Sequence, residues 1–162
     1  MNDYQRACEL KDETIANRRY IHEHAEVGLE LPQTRAYVME KLKEYGLEPK
    51  VCGAGVTATL GKAGKVLLLR ADMDALPMPE ESGESFACKD GIHNHACGHD
   101  FHTTVALKVA SLLNQRKENL AGKIYFVFQP AEEVASGAEY VRKNGNLPEY
   151  SEVFGFHVEP SL

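Results

Sequence analysis

The amino-acid sequence predicts an α/β fold in which a largely parallel sheet is flanked by helices on both faces. Residues 65–71 and 123–129 are apolar almost throughout, which is typical of parallel strands buried on both faces. A third buried strand is expected at residues 153–158. Segments with helical features separate these strands, and parallel sheets require this alternation because each connection must cross over the sheet.

The elements before the first buried strand are predicted from periodicity and from glycine and proline. Residues 3–24 are rich in helix formers with spaced apolar side chains, which predicts one or two helices. Pro32 suits a first helical position and Gly46 a position just beyond the last turn, so a helix of about 14 residues is expected between them. Residues 48–52 and 56–60 are bounded by glycines and predict two short strands.

The second half of the chain is predicted to contain a long loop and two further helices. Residues 77–95 contain Pro, Gly, Ser and Glu throughout and predict a loop of a length that often carries function. Asp100 is expected to cap a helix that runs to about Arg116. Residues 135–144 predict the last helix, which should end at Gly145.

Composition and charge limit the classes of partner and the location. The chain has 18 Lys and Arg against 24 Asp and Glu, a net charge of −6, and no basic block, so no nucleic-acid or membrane partner is expected. The apolar runs are far shorter than the roughly 20 residues that span a bilayer, and no secretory signal is recognised, so we expect a cytoplasmic protein. Four irregularly spaced cysteines predict free thiols, one of them a candidate metal ligand.

Two aspartates follow the first buried strand. Asp72 and Asp74 are two positions apart, so in extended backbone both carboxylates point to the same side. Open α/β sheets bind ligands at the carboxyl ends of their strands, which makes this pair a candidate site. The alternative is that both aspartates only end the strand and start a turn toward Pro77.

Residues 93–102 contain four histidines, one cysteine and one aspartate. Cys97 and His99 flank a glycine, which lets the chain turn tightly enough for a thiolate and an imidazole to bind one ion. One alternative is a solvated polar loop in which His95 or His102 is hydrogen-bonded to its neighbours. Another is a structural zinc site, although C-x-H lacks the usual spacing of such sites.

Two adjacent acids and one histidine complete the candidate residues. Glu132 and Glu133 directly follow the second buried strand. They suit a helix N-terminus, where the helix dipole favours acids, but a cation accounts for them better: one carboxylate can ligate it while the other accepts a proton from water. His157 ends the third predicted strand, and only its position beside the other clusters makes it a candidate, because a lone histidine there is usually structural.

Together these motifs resemble the metal-dependent M20 peptidase family, specifically its aminoacylase-like branch of N-acyl amino acid amidohydrolases, which includes hippurate and auxin-conjugate hydrolases. The resemblance covers nearly the whole chain in five ordered blocks. It departs from the family at Ala25, where many members have proline, and this difference concerns a turn. The matching blocks are residues 18–22 with 26–28, residues 69–77, residues 95–100 with 102–103, residues 128–133 and residues 155–157.

The resemblance implies a phosphorylase/hydrolase-like catalytic domain that binds two divalent metal ions. Glu132 would be the general base, and Asp74 would orient a metal ligand without binding the metal itself. The implied reaction is hydrolysis of the amide bond of N-acyl amino acids or related small amides by water that the ions activate. A thiolate ligand favours zinc, manganese, nickel, cobalt or iron over magnesium or calcium. The implied metal ligands are Cys97, as the bridge between the ions, and His99, Glu133 and His157.

Members of the family are considerably longer than this chain. The resemblance therefore implies that residues 1–162 form the N-terminal part of the catalytic domain, without the inserted lid or dimerisation domain and without a C-terminal segment that supplies a further metal-binding histidine. Such a chain is expected to be weakly active or inactive alone. The full-length form would be able to form a homodimer through the lid domain.

Two alternatives remain open from the sequence. A truncated, catalytically inactive metal-binding or interaction module would bind metal without amidase turnover. A cysteine hydrolase with Cys97 as its nucleophile would need no ion, but this reaction leaves Glu132 and Glu133 without a role.

Overall fold

The computed structural model, which describes residues 2–159, contains one five-stranded sheet with helices packed on both faces. This arrangement confirms the predicted α/β class. A single 3₁₀ turn at Lys117–Asn119 joins the longest helix to the following strand. The elements are, in order, α1 (Asp3–Glu9), α2 (Lys11–Glu23), α3 (Pro32–Glu44), β1 (Lys50–Cys52), β2 (Gly55–Leu60), β3 (Val66–Asp72), α4 (His99–Asn114), β4 (Lys123–Gln129), α5 (Gly137–Asn144) and β5 (Glu152–Phe154).

The sheet has the strand order β1-β2-β4-β3-β5. The two predicted buried strands, β3 and β4, are adjacent and parallel, and β5 pairs in parallel with the other side of β3. The hairpin β1-β2 continues the sheet in antiparallel orientation next to β4. The sheet is therefore mixed, and its parallel part consists of the three strands that precede the candidate site residues.

The register of β3 against β4 decides where the polar clusters lie. Asp72, at the end of β3, is paired with Gln129, at the end of β4. Since parallel strands that end in register place the following residues at the same edge of the sheet, residues 72–74 and 132–133 leave the sheet side by side.

Both faces of the sheet are covered by apolar side chains. On one face, Phe126 and Phe128 pack with residues of α3 and α4, and both aromatic side chains are fully buried. On the other face, Leu68 and Val127 pack against Val141 of α5. Alternate residues of β3 and β4 thus enter two different cores, which explains why these strands are apolar throughout their length.

The third predicted strand differs most from expectation. It pairs over residues 152–154 only and is exposed, with Val153 and Phe154 each more than half accessible to solvent, so the prediction of a buried strand over residues 153–158 was wrong. Within residues 2–159, β5 is an edge strand with β3 as its one neighbour. After Gly155 the chain leaves the sheet and runs toward the start of α4, where Val158 donates its backbone N–H to a side chain of that helix.

Two helix starts also differ from the prediction. α4 begins at His99 with Gly98 as its N-cap and without a capping side chain, so Asp100 does not cap it. Asp100 is instead buried in the first turn, where it binds side chains of α2. α5 begins at Gly137 because Ala135 has φ = +53°, a left-handed conformation that no helix residue adopts.

Within residues 2–159, no helix has both the length and the apolar character that crossing a bilayer requires. All four cysteines are free, as their irregular spacing predicts.

Candidate metal centre

Three chain segments meet at the carboxyl edge of the parallel strands. One is the start of α4 with Cys97 and His99, the second is the loop after β4 with Glu132 and Glu133, and the third is the segment after β5 with His157. All five side chains belong to groups whose potential ligand atoms lie within 4.8 Å of one another. The structure therefore brings together the residues that the sequence singled out from separate motifs.

His99 is held with one ring nitrogen toward this edge. Gly98 has φ = +81°, which is accessible to glycine at little cost and lets the chain turn sharply between Cys97 and His99. The His99 ring is fully buried, and its Nδ1–H donates to the carbonyl oxygen of Asp74 at 2.8 Å. In the neutral ring, this hydrogen bond fixes the proton on Nδ1 and leaves the lone pair of Nε2 available for a ligand bond.

The two glutamates follow a residue with unusual backbone geometry. Ala131 has φ = +56°, a left-handed conformation that costs a non-glycine residue about 1–2 kcal/mol and is tolerated where the surroundings determine it. The backbone N–H of Glu133 donates to the Asp74 carboxylate at 3.1 Å. As a result, Glu132 Oε2 and Glu133 Oε1 lie 3.7 Å and 3.8 Å from His99 Nε2.

Cys97 and His157 form the other side of the centre. The distance from Cys97 Sγ to His157 Nε2 is 3.3 Å, and Nδ1–H of His157 donates to the carbonyl oxygen of Val158. Burial, together with a hydrogen bond to Glu133 and the nearby acids, raises the pKa of the Cys97 thiol to about 12. The thiol is therefore protonated at neutral pH unless a cation offsets the surrounding negative charge.

The donor atoms fit a bound cation. Among the residues that the structure describes, the buried atoms His99 Nε2 and Glu133 Oε1 have no hydrogen-bond partner, and such atoms are rare in folded proteins. Ligand bonds of about 2.0–2.3 Å in tetrahedral geometry place neighbouring donors roughly 3.3–3.7 Å apart, close to the separations found here. A set of thiolate, imidazole and carboxylate suits zinc and the later first-row transition metals.

Asp74 lies behind the centre rather than in it. It is fully buried, its carbonyl oxygen fixes His99, and its carboxylate fixes the backbone of Glu133. Asp72, the other aspartate of the motif, is also buried, and its Oδ2 accepts a hydrogen bond from His102 at 3.2 Å. The two carboxylates thus support different histidines of the same helix.

A second polar cluster beside the centre was missed by sequence reasoning. The ring of His22 lies between two carboxylates, with Nδ1 2.7 Å from Asp100 and Nε2 2.9 Å from Glu80, and the protonated ring donates to both. Arg18 also donates to Asp100, at 2.6 Å. Burial alone would lower the pKa of His22, but the hydrogen bonds to the two carboxylates outweigh it and raise that pKa. Arg18, His22 and Asp100 lie in blocks that resemble the family, but no role was predicted for them there. The spacing of Arg18 and His22, one turn apart on α2, is a further signal for this cluster.

His95 differs from the other histidines of residues 93–102 in its hydrogen bonding. It is buried, and neither ring nitrogen has a hydrogen-bond partner among residues 2–159. Burial lowers the pKa of His95 to about 4, so the ring is neutral near pH 7. The alternative of a solvated loop, in which His95 or His102 is hydrogen-bonded to its neighbours, does not describe these two residues: both are buried, and His102 donates to Asp72, 30 positions earlier.

The chain is similar in sequence to curated amidohydrolases over nearly its whole length. N-acetyl-L-cysteine deacetylase of Bacillus subtilis (strain 168) is 40% identical over 157 residues, which cover 94% of this chain and 38% of that protein. N-acyl-L-amino acid amidohydrolase of Geobacillus stearothermophilus is 39% identical over 155 residues, which cover 93% of this chain and 42% of that protein. The chain thus spans about two fifths of the length of these curated relatives.

Solved structures and family models give the same relationship. A crystal structure of a Bacillus subtilis protein described as a dinuclear metal-binding peptidase from family M20 superposes with a TM-score of 0.89 at 41% identity, covering 93% of this chain and 44% of that one. The model of peptidase family M20/M25/M40 matches residues 68–162, which is more than half of the chain and includes every candidate ligand. The chain belongs to peptidase family M20/M25/M40.

Proposed function

We propose that this chain binds divalent metal ions at the centre described above and is part of an enzyme that hydrolyses the amide bond of N-acyl amino acids or related small amides. The observation that carries the proposal is the pair of buried atoms, His99 Nε2 and Glu133 Oε1, which face each other at 3.8 Å without a hydrogen-bond partner among the described residues. Burial of such atoms costs roughly 1–3 kcal/mol each, and a cation between them removes that cost.

The proposed ligands are Cys97, His99, Glu133 and His157. Glu133 suits a ligand better than Glu132 does, because its backbone is tied to Asp74 and its side chain is only 15% exposed. The Glu132 side chain is 39% exposed and is therefore reachable by a substrate. These differences support Glu132 as the general base.

The chain's own residues supply proton transfer and positioning. When bound, divalent cations provide Lewis-acid chemistry, which lowers the pKa of water and stabilises negative charge on a carbonyl oxygen. The Glu132 carboxylate accepts a proton from the attacking water and returns it to the departing amine nitrogen. Asp74 holds His99 and Glu133 in place throughout, since it binds one through its carbonyl oxygen and the other through its carboxylate.

The substrate class rests on the named relatives. One acts, by its name, on N-acetyl-L-cysteine and another on N-acyl-L-amino acids. Metal identity is proposed only as a group, namely zinc, manganese, nickel, cobalt or iron, because the donor set accepts all of them to different degrees.

We further propose that residues 1–162 correspond to the N-terminal part of such a catalytic domain and that the complete enzyme forms a homodimer. The coverage of 38% and 42% of two relatives supports the first statement. The second follows from the family resemblance alone, and analytical ultracentrifugation of the complete gene product tests it.

One experiment tests the main proposal. The purified chain and the complete gene product are analysed for bound transition metal, and both are assayed on a panel of N-acetyl amino acids before and after treatment with a chelator. We expect metal in both proteins and chelator-sensitive amide hydrolysis in the complete gene product. Metal binding without turnover in the complete gene product would favour a non-catalytic metal-binding module instead.

A further inference from the structure

We propose that His102 is a positioning residue that seats His157 for metal binding by accepting a hydrogen bond from the backbone of Val158. This inference rests on the proposed metal site and adds a residue that is not itself a ligand. The fully buried His102 side chain lies between the sheet and the segment that carries His157.

The two ring nitrogens of His102 have different partners. Nδ1–H donates to Asp72 Oδ2 at 3.2 Å, and Nε2 accepts the backbone N–H of Val158 at 3.2 Å. Because a backbone N–H can only donate, Nε2 must be deprotonated, and the proton of the neutral ring is on Nδ1. The carboxylate of Asp72 favours this tautomer.

His157 depends on such a contact because its own segment is weakly fixed. It lies three residues beyond β5, which pairs over only three residues, and its side chain is exposed. The hydrogen bond of its ring to the adjacent Val158 carbonyl orients the ring relative to its own backbone but does not attach that backbone to the rest of the fold. The attachment has to come from Val158 and from contacts of the ring.

Two further contacts hold the same segment against α4. Val158 packs over Gly98 so closely that a Cβ at that glycine would lie 2.3 Å from Val158 Cγ2. The His157 ring stands nearly perpendicular to the His102 ring, with 4.6 Å between their centroids. His102 therefore contacts His157 both through the backbone of the next residue and directly through its ring.

The other end of this series of contacts lies in the sheet. Asp72 is the last residue of β3 and is paired with β4, and its carbonyl oxygen accepts a hydrogen bond from Thr103 Oγ1 at 2.7 Å. Arg70 forms an ion pair with the Asp72 carboxylate. Asp72 and His102 thus connect the buried end of β3 to Val158 and so to His157, the exposed ligand.

The same contacts argue against a ligand role for His102. Asp72, His99 and His102 lie close enough together to be considered a metal-binding group. However, the Nε2 lone pair of His102 accepts the N–H of Val158, and Nδ1 carries the proton that Asp72 accepts, so neither nitrogen is free. Positioning, rather than coordination, is the role that leaves both hydrogen bonds intact.

The test uses cobalt(II) as the probe metal and the 162-residue chain. Cobalt bound to a thiolate and imidazoles absorbs in the near-ultraviolet and visible, and these bands report the ligand set. We compare wild type with His157→Ala, which removes the ligand, and with His102→Phe, which keeps ring volume but loses both hydrogen bonds. Val109→Ala, a core substitution in the same helix, is the control for a general loss of stability.

A matched pair of variants separates the two hydrogen bonds. In His102→Gln the terminal amide oxygen reaches about as far as Nε2 and can accept from Val158, whereas in His102→Asn the shorter amide can reach only Asp72. We expect His102→Phe and His102→Asn to bind cobalt about 10- to 100-fold more weakly, with a spectrum like that of His157→Ala. His102→Gln should retain the wild-type spectrum, and Val109→Ala should lower the melting temperature without changing the spectrum.

The outcomes distinguish this inference from the proposed function. If wild type shows no thiolate-to-cobalt band, the metal site itself is wrong. If wild type shows the band and His157→Ala changes it, while folded His102→Phe and His102→Asn keep the wild-type spectrum and affinity, the metal site stands and the positioning role of His102 is wrong. Equal losses in His102→Gln and His102→Asn would also contradict a role through Val158.

Discussion

The carbonyl oxygen of Asp74 lies 2.8 Å from Nδ1 of His99, and this contact determines which ring nitrogen of His99 faces the metal centre. The same residue uses its carboxylate to hold the backbone of Glu133. Two donors from different segments, one on α4 and one after β4, are therefore placed relative to each other through a single buried aspartate.

Two substitutions test the carboxylate of Asp74 while keeping its carbonyl oxygen. Asp74→Ala keeps the carbonyl contact to His99 but removes the acceptor for Glu133 N–H and the carboxylate that lies 3.4 Å from His99 Nδ1. We therefore expect metal affinity to fall about 10- to 100-fold. Asp74→Asn keeps an oxygen acceptor at nearly the same place and should lose much less. Isothermal titration with zinc measures both, and equal affinities for Asp74→Ala and wild type would contradict the role assigned to this carboxylate.

Changing each of the two adjacent glutamates to glutamine should distinguish their roles. Glu132→Gln should reduce amide hydrolysis by the complete gene product at least about 100-fold, because the general base is lost, while metal content stays at the wild-type level. Glu133→Gln should lower metal content as well as turnover. Metal analysis and initial rates on one N-acetyl amino acid decide the assignment, and the reverse pattern would mean that the two roles are exchanged.

Gly98 should tolerate no side chain, and a second glycine provides the control. Gly98→Ala combines a left-handed backbone, φ = +81°, with a contact of 2.3 Å to Val158, whereas Gly83→Ala has a similar φ of +69° but no atom within 4 Å. We expect both variants to lose roughly 1–2 kcal/mol of stability because alanine is strained in the left-handed conformation, and Gly98→Ala to lose metal affinity in addition. Urea unfolding and zinc titration separate the two effects. Unchanged zinc affinity in Gly98→Ala would show that Val158 can move without consequence.

Ala135 offers a stabilising substitution. Its φ of +53° is unfavourable for alanine, and the residue is exposed, so Ala135→Gly should raise the free energy of unfolding by roughly 0.5–1 kcal/mol after the greater freedom of glycine in the unfolded chain is subtracted. Ala138→Gly, at an exposed position inside α5, should lower it by a similar amount. Thermal unfolding of the two variants should therefore shift in opposite directions.

His22 predicts a pH dependence of stability. Burial opposes protonation, but the hydrogen bonds to Asp100 and Glu80 dominate and raise the pKa of His22 above 6.5 in the folded protein. A raised pKa means that the folded state binds the proton more tightly, so this contribution is present below pH 6.5 and is lost as pH rises through the folded pKa. Wild type should lose more unfolding free energy between pH 6 and pH 9 than His22→Gln does, as measured by urea unfolding at each pH. Parallel curves would contradict the prediction.

The candidate residues on α4 and after β4 were predictable because their signals are local. Cys97 and His99 lie at the start of a helix, Glu132 and Glu133 follow a buried strand, and parallel strands end at one edge of the sheet. His157 follows the exposed strand β5, so only its position beside the other motifs pointed to it. The apolar runs of β3 and β4 can be recognised in the sequence because the side chains of each strand pack alternately into two cores. These features do not depend on contacts between distant parts of the chain.

The features that were missed depend on distant contacts. Glu80 lies 58 positions from His22, and Asp100 lies 78 positions from it, so no periodicity connects them. The apolar residues after Gly155 resemble a continued strand, but Val158 is bound to His102, 56 positions earlier, and this contact takes the segment out of the sheet. A short apolar pattern cannot distinguish pairing with a strand from binding to a helix.

The proposed ligands Cys97 and His157 are 60 positions apart in the sequence, so metal binding would affect folding as well as chemistry. An ion held by both closes a long loop of polypeptide in the native state only, so occupancy and folding must be thermodynamically linked. At a free ion concentration 100 times the dissociation constant, mass action adds about 2.7 kcal/mol. The melting temperature of this protein should therefore rise with the supply of transition metal in its surroundings, and metal starvation should leave it more open to proteolysis.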